Sequence, residues 1–433
     1  MNLYAKRRKA LMQSMTENSI AIIPANREYL RNGKDNYYAF RQDSDFYYLT
    51  GFTEPEALAI LIPNREQGEF ILFTRPRDKT AERWTGPRVG PEGAIEQFGA
   101  DEAFSIDTIE EKMLLLLANR DTCYYAFGKR PDFERQLEAW LNQVRAQIRK
   151  GINAPQDMKN VEAIIHALRL IKSEEEIALM CKACEISALG HVHAMQACKP
   201  GLNESALHAT LLHTFYQHQC QDVAYTPIVA AGANACVLHY IANNADINEN
   251  DLVLIDAGGE YQHYAADITR TFPANGRFSG ECKAIYELVL AAQVAAIDEA
   301  QAGNAWITMQ ETILKILCQG LVDLGILSGN VDDLIEQRAF EPFYMHLSGH
   351  WLGLDVHDVG DYKVDGAWRP LEAGMVLTVE PGLYIAPDNN DVDPRFRGIG
   401  VRIEDDILIT HAKADVLSKD VPKEIDDIEA LMS

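Results

Sequence analysis

Four acidic residues stand in stretches too apolar to carry an uncompensated charge. Asp256 closes the run Asp251-Leu-Val-Leu-Ile-Asp256, and Asp267 follows Ala265-Ala266. Glu380 closes Met375-Val-Leu-Thr-Val-Glu380, and Glu404 lies within Val401-Arg-Ile-Glu-Asp-Asp406. An unpaired carboxylate in such strands is costly, because burial strips its hydration without replacing it. Asp256 and Asp267 are eleven residues apart, with Gly258 and Gly259 just after the first. If residues 259–264 form a hairpin turn, the two side chains lie opposite each other, with Cβ atoms ~4.5–5.5 Å apart. Carboxylates so placed repel, and either raise each other's pKa or attract a cation. Ordinary solvent-facing aspartates would explain that pair alone, but Glu380 and Glu404 in their apolar runs favour a metal.

Three histidines, His346, His350 and His357, fall within twelve residues of the stretch from Phe343 to Gly360. His350, beside Gly349, adds a nitrogen ligand to the acids. If the stretch turns once, His346 shares a side with it. Four carboxylates and one imidazole suit two hard or borderline cations, such as manganese, cobalt or zinc, better than a thiolate zinc site. Shared carboxylates would set the ions ~3.5–4 Å apart, the spacing that activates a water between them. Taken singly, each histidine is more simply read as structural.

The elements that must position these groups divide the chain in two. At 433 residues it is too long for one typical core. Residues 1–172 alternate strand-like runs (Ile20–Pro24, Phe46–Thr50, Ala57–Ile62, Glu69–Thr74) with helical ones (Ile109–Ala118, Phe133–Ile148), an α/β or α+β domain. No GxGxxG or P-loop appears in it. Ser173-Glu-Glu-Glu176 is a capping box that opens a helix running to about Ala197, and Lys199-Pro-Gly201 ends it. A second helix spans about 203–217, and others are expected near 281–301 and 308–324. Between and after them the pattern is strand-rich. The strands ending at Asp256 and Glu380 echo each other, each apolar, closed by a carboxylate and followed by a turn. That echo suggests two related halves within residues 173–433, each giving two acids.

Charge follows the same division. Residues 1–172 hold 25 Lys/Arg against 24 Asp/Glu, and residues 173–433 hold 15 against 40. The second domain therefore disfavours nucleic acid and anionic membranes and attracts metal ions and amino groups. No apolar run reaches the ~18 residues of a membrane span. The basic N-terminus has no apolar core after it, so it reads as a first helix and not a signal peptide. Eight scattered cysteines fit reduced thiols in the cytoplasm. Cys181 and Cys184 share a helical face, which explains their spacing without redox chemistry.

The motifs DAGxEYxxYAxDITRTF (256–272), HWLGLDVHDVG (350–360), LTVEPGLYI (377–385) and GIGxRIEDD (398–406) stand in this order. Together they closely resemble the pita-bread metallopeptidases, and within them the bacterial aminopeptidase P family. The likeness extends to Arg41-Gln-Asp-Ser-Asp-Phe46 and Tyr48-Leu-Thr-Gly-Phe-Thr-Glu-Pro55, so it covers nearly the whole chain. It implies a creatinase-like α/β N-terminal domain and a C-terminal pita-bread domain with pseudo-twofold related halves. It implies a site with Asp267 and Glu404 bridging two ions, Asp256 on one, and His350 with Glu380 on the other, manganese being preferred. The implied reaction releases the N-terminal residue from peptides with proline second, through a water or hydroxide bridging the ions, with Glu380 carrying the proton.

The same resemblance gives His239, His346 and His357 substrate and transition-state roles, and makes Tyr225 and Arg402 supports for the ligands. Trp84 would reach a neighbouring subunit's active site in a dimer or tetramer; a locally buried tryptophan is the other reading. A prolidase, which cuts only dipeptides, shares the metal set and is the main alternative. A non-catalytic binding module of the same fold would be expected to lose ligands, and all five are here. No GxSxG or HExxH motif points to another hydrolase class.

Overall fold

The structure, a computed structural model, describes residues 2–433. The chain divides into two compact units, one ending at Arg169 and one from Leu170 to Ser433, against an expected break at 172/173. Among the described residues no helix is long and apolar enough to cross a membrane.

In the first unit six strands form one sheet, in the order Glu102–Ser105, Phe70–Thr74, Leu58–Leu61, Ser19–Pro24, Thr122–Tyr125, Asp157–Asn160. Ser19–Pro24 lies antiparallel to Leu58–Leu61 and parallel to Thr122–Tyr125. Ile20, Ile22, Ile60 and Phe73 from this sheet share a buried cluster with Met113 and Trp140 of the helices Ile109–Leu117 and Pro131–Arg145. The run 46–50, expected as a strand, is instead the end of a helix, Ser44–Thr50. Asp43 caps it by accepting from Phe46 N, and Gly51 closes it in the left-handed region at φ +66°. Every residue of that helix is buried, so no polar stripe marked its period in the sequence.

The second unit repeats one order of elements. Helices Glu174–Ala197 and Glu204–Gln217 pack together and lead into the antiparallel strands Ile228–Ala231, Leu252–Asp256 and Thr269–Pro273. Helices Gly280–Glu299 and Ile307–Asp323 pack together and lead into Val376–Val379, paired with Asp405–Leu408, and Gly382–Tyr384, paired with Gly400–Arg402. Ser173 caps the first helix with the full reciprocal box to Glu176. The two strand sets are stitched together along one line. Glu404 N donates to Thr269 O at 3.1 Å, and Thr271 Oγ1 donates to Arg402 O at 2.9 Å. One continuous apolar core, including Val253, Ile255, Phe272, Leu377, Val379 and Ile407, backs both sets.

Candidate metal centre and active site

Asp256 ends a strand whose Leu252, Val253 and Ile255 sit in that core. Its partner in register is Thr269, not Asp267, so the two acids are not directly opposed as the expected turn over residues 259–264 would have them. The cause is local. Ala257 N donates to Ile268 O and Ala266 N to Gly259 O in the same register that pairs Glu260 with Ala265 and Tyr261 with Tyr264, so the chain turns at Gln262 and His263 and Asp267 falls opposite Gly258. At Gly258 the chains approach so closely that a Cβ would sit 1.7 Å from the Ala266 oxygen. The carboxylates meet instead at Tyr225, whose hydroxyl lies 2.5 Å from Asp256 Oδ1 and 2.6 Å from Asp267 Oδ1.

The histidine-rich stretch makes no helical turn. It lies along strand Val376–Val379, with Leu352 N donating to Val376 O, Thr378 N to His350 O and Glu380 N to Ser348 O. Gly349 permits this, since a Cβ there would lie 2.1 Å from Thr378 O. This pairing brings His350 beside Glu380, with Nε2 3.6 Å from Oε1, and beside Asp267, with Nε2 3.3 Å from Oδ2. Asp267, His350 and Glu404 each offer one ligand atom, all within 4.8 Å of one another.

The donor set fits divalent cations. His350 Nδ1 lies 3.0 Å from the Trp351 carbonyl, which can only accept, so Nδ1 carries a proton and Nε2, facing two carboxylates, is the nitrogen left to bind a cation. Tyr225 has one proton for two carboxylate acceptors. Against four acids, the one arginine or lysine in direct contact among the described residues is Arg402, whose Nη2 donates to Asp256 Oδ2 at 2.6 Å. Burial pushes Glu404 well above the usual carboxylate range, with the charges of Asp267, Glu380 and Asp256 adding to it. Burial likewise raises Asp256, against Arg402, and brings Glu380 up to about 7, against His350. His350 shows the converse: burial would lower it, but the Asp267 contact and the Glu380 charge raise it to about 9. These shifts share one cause, buried acids crowded together with little positive charge against them.

A cleft of about 910 Å³ opens over this cluster, lined by all five candidate ligands and by Tyr225, His239, His346, His357 and Arg402. His239 and His357 are exposed in it. The His357 ring stands edge to face with His350 at 4.3 Å, and burial and the His350 charge lower its pKa. Both nitrogens of His346 are engaged: Nδ1 lies 2.8 Å from Leu347 O, and Nε2 lies 2.9 Å from the Tyr384 hydroxyl, which accepts from Arg402 Nη1 at 2.9 Å. Tyr384 and Thr269, whose hydroxyl donates to Glu404 Oε2 at 2.6 Å, escaped the sequence reading. Both lie inside the quoted motifs, and Thr269 stands two residues after Asp267, on the same side of an extended chain. Trp84 sits on the short helix Lys79–Thr85 and is 87% exposed, which removes the locally buried reading.

A carboxylate-rich pocket lies on two paired half-sheets, and the chain belongs to a family of metallopeptidases. It is a member of metallopeptidase family M24, whose pattern matches residues 178–411, and the aminopeptidase P N-terminal domain matches residues 4–125. It is 44% identical over 430 residues to the Xaa-Pro aminopeptidase of Escherichia coli (strain K12), covering 99% of this chain and 97% of that one. It is 45% identical to the Xaa-Pro aminopeptidase of Haemophilus influenzae over the same shares. Among solved structures it is similar to Pseudomonas aeruginosa aminopeptidase PepP, with a TM-score of 0.98 and 53% identity, covering 99% of this chain and 97% of that one. A zinc-substituted E. coli aminopeptidase P in complex with product matches with a TM-score of 0.96 at 44% identity, over the same shares. The expected architecture, an aminopeptidase P N-terminal domain before a pita-bread metallopeptidase domain, is borne out.

Proposed function

We propose that this protein is a metal-dependent aminopeptidase that releases the N-terminal residue from peptides with proline in the second position. The observation that carries the reading is the buried, under-compensated group Asp256, Asp267, His350, Glu380 and Glu404 on the floor of an open cleft, in a chain related end to end to Xaa-Pro aminopeptidases. Residues 173–433 are the catalytic domain. Asp256, Asp267, His350, Glu380 and Glu404 would together hold two ions. When bound, such ions supply Lewis acidity that activates water and polarises a peptide carbonyl. Manganese is the proposed ion, as hard oxygen donors dominate the set.

The chain's own residues do the rest. Glu380, facing the cleft beside His350, carries the proton to the leaving nitrogen. His357, neutral and exposed, donates to the oxygen that gains charge on attack. His239 meets the peptide from the opposite loop, and His346 orders this side of the cleft through Tyr384. Arg402 and Tyr225 hold Asp256 and Asp267 in place. The acidic field of this domain favours the free amine of the substrate. The cytoplasm is the proposed compartment, supported by eight cysteines none of which is paired. A dimer or tetramer is proposed too, supported by large apolar side chains of the N-terminal unit left open to solvent: Trp84, Tyr29, Leu30, Tyr37 and Tyr38.

The deciding experiment compares an X-Pro dipeptide with an X-Pro-Y tripeptide and an X-Ala-Y control. Cleavage of the tripeptide after its first residue, with little cleavage of the control, is the expected result. Cleavage of the dipeptide alone would make the protein a prolidase, and cleavage of none by metal-loaded protein would leave a binding module.

A further inference from the structure

The loop joining strands Ile228–Ala231 and Leu252–Asp256 brings Leu238, His239 and Ile241 to the cleft. After a short 3-10 helix, Gly232–Cys236, it has no regular structure, and Val237 and Ile241 are 55% and 58% exposed. A segment with so little packing of its own opens readily unless polar anchors hold it.

Glu204 is such an anchor. It is the first residue of helix Glu204–Gln217 and is fully buried. Its Oε1 accepts from Ala231 N at 2.8 Å and from Asn234 Nδ2 at 3.0 Å. Its Oε2 accepts from the Tyr240 hydroxyl at 2.9 Å and from Ala245 N at 2.8 Å. One carboxylate thus ties the start, the middle and the end of the loop, and Tyr240 directly follows His239. Four donors fill the acceptor sites of an ionised carboxylate, and bonds to a charge are the stronger kind. Asn243 adds a second tie. It accepts from Val229 N and donates to Pro227 O, both at 2.8 Å, from a left-handed backbone at φ +48°. None of these partners is a candidate metal ligand.

We infer that Glu204 is a positioning residue for peptide binding: it fixes loop 231–245 so that Leu238, His239 and Ile241 meet the substrate. The inference rests on the aminopeptidase reading of the cleft. It separates two tasks that share one pocket. The acids and His350 act on the reacting bond, while Glu204, acting through the loop, governs how tightly the peptide is held.

Glu204→Gln tests this with little change of shape, because its new amide NH₂ faces two donors in place of an acceptor. For an X-Pro-Y peptide, KM should rise about tenfold while kcat changes by less than about twofold. Metal stoichiometry should stay the same, and amide hydrogen exchange over residues 237–245 should quicken. Tyr240→Phe removes one donor of the four, so KM should rise about threefold; this variant carries the test if Glu204→Gln does not fold. A lower Tm with unchanged KM and unchanged loop exchange would overturn the inference, as would a joint loss of kcat and bound metal. Failure of the wild-type protein to cleave the peptide would instead overturn the aminopeptidase reading. Loop exchange in the variants would then still report on the anchoring.

Discussion

In the N-terminal unit Asp45, Glu162 and His166 each bring a ligand-type atom within 4.8 Å of the others, as Asp267, His350 and Glu404 do in the C-terminal unit. The surroundings differ. Asp45 Oδ1 accepts from Arg169 Nη1 at 2.7 Å, its Oδ2 faces His166 at 3.3 Å, and Lys129 pairs with Glu162 while standing 3.9 Å from Asp45. Two acids there meet two fixed cations, and a divalent ion would have to displace them. In the cleft, among the described residues, four acids have only Arg402 beside them, and Arg270 and Lys423 are spent on Asp405 next door. Ligand distance is therefore common to both clusters, and charge balance is what separates a metal site from an ion-pair network.

The comparison is sharpened first at its strongest point. Asp267→Ala removes an acid that His350, Tyr225 and the Glu404 side of the site all face, so hydrolysis of X-Pro-Y should fall by more than about a thousandfold, the loss of several kcal/mol of transition-state stabilisation. Circular dichroism should show the fold retained. Full activity in this variant, or in chelated protein, would break the distinction between the clusters. Arg402→Met should cost less, about 10–100-fold in activity or metal affinity, as it frees Asp256 and Tyr384 without deleting a ligand.

Asp45→Asn should leave hydrolysis unchanged and act on stability alone. Burial would raise the Asp45 pKa, but the His166 bond and the Arg169 charge hold it down to about 2. The sign follows: the folded value lies below the unfolded value of about 3.9, so the ionised form stabilises the fold above that pH, and this is lost as pH falls toward about 2. The contribution at neutral pH is about 2–3 kcal/mol. Thermal melts should therefore show wild type above Asp45→Asn at pH 7, with the gap closing between about pH 4 and pH 2. A constant gap would mean that shape, not charge, is what the substitution disturbs.

Much of this was legible in the sequence because the cleft acids sit in runs whose apolar character has no other reason to end in a charge. The helices were legible from caps such as Ser173 and Glu176. Contacts between distant segments were not. Lys129 and Arg169 neutralise Asp45 from 84 and 124 residues away, and no local pattern signals that pairing. The register of Asp256 with Thr269 follows from a turn at Gln262 and His263, both at positive φ, where a turn over residues 259–264 would put Asp267 opposite. In the sequence Glu204 is one acid at the start of a helix, and its four donors come from residues 231 to 245. The fully buried helix 44–50 gave a strand-like run, since a segment buried on all sides shows neither period.

Counting metal tests the central distinction most directly. Apo protein, Asp45→Asn and Glu404→Gln would each be titrated with manganese by calorimetry, with bound ions checked by elemental analysis after dialysis. Two ions per chain in the wild type and in Asp45→Asn, and a loss of tight binding in Glu404→Gln, is the expected result. Equal binding by all three, or loss of an ion in Asp45→Asn, would contradict the assignment of the metals to the cleft.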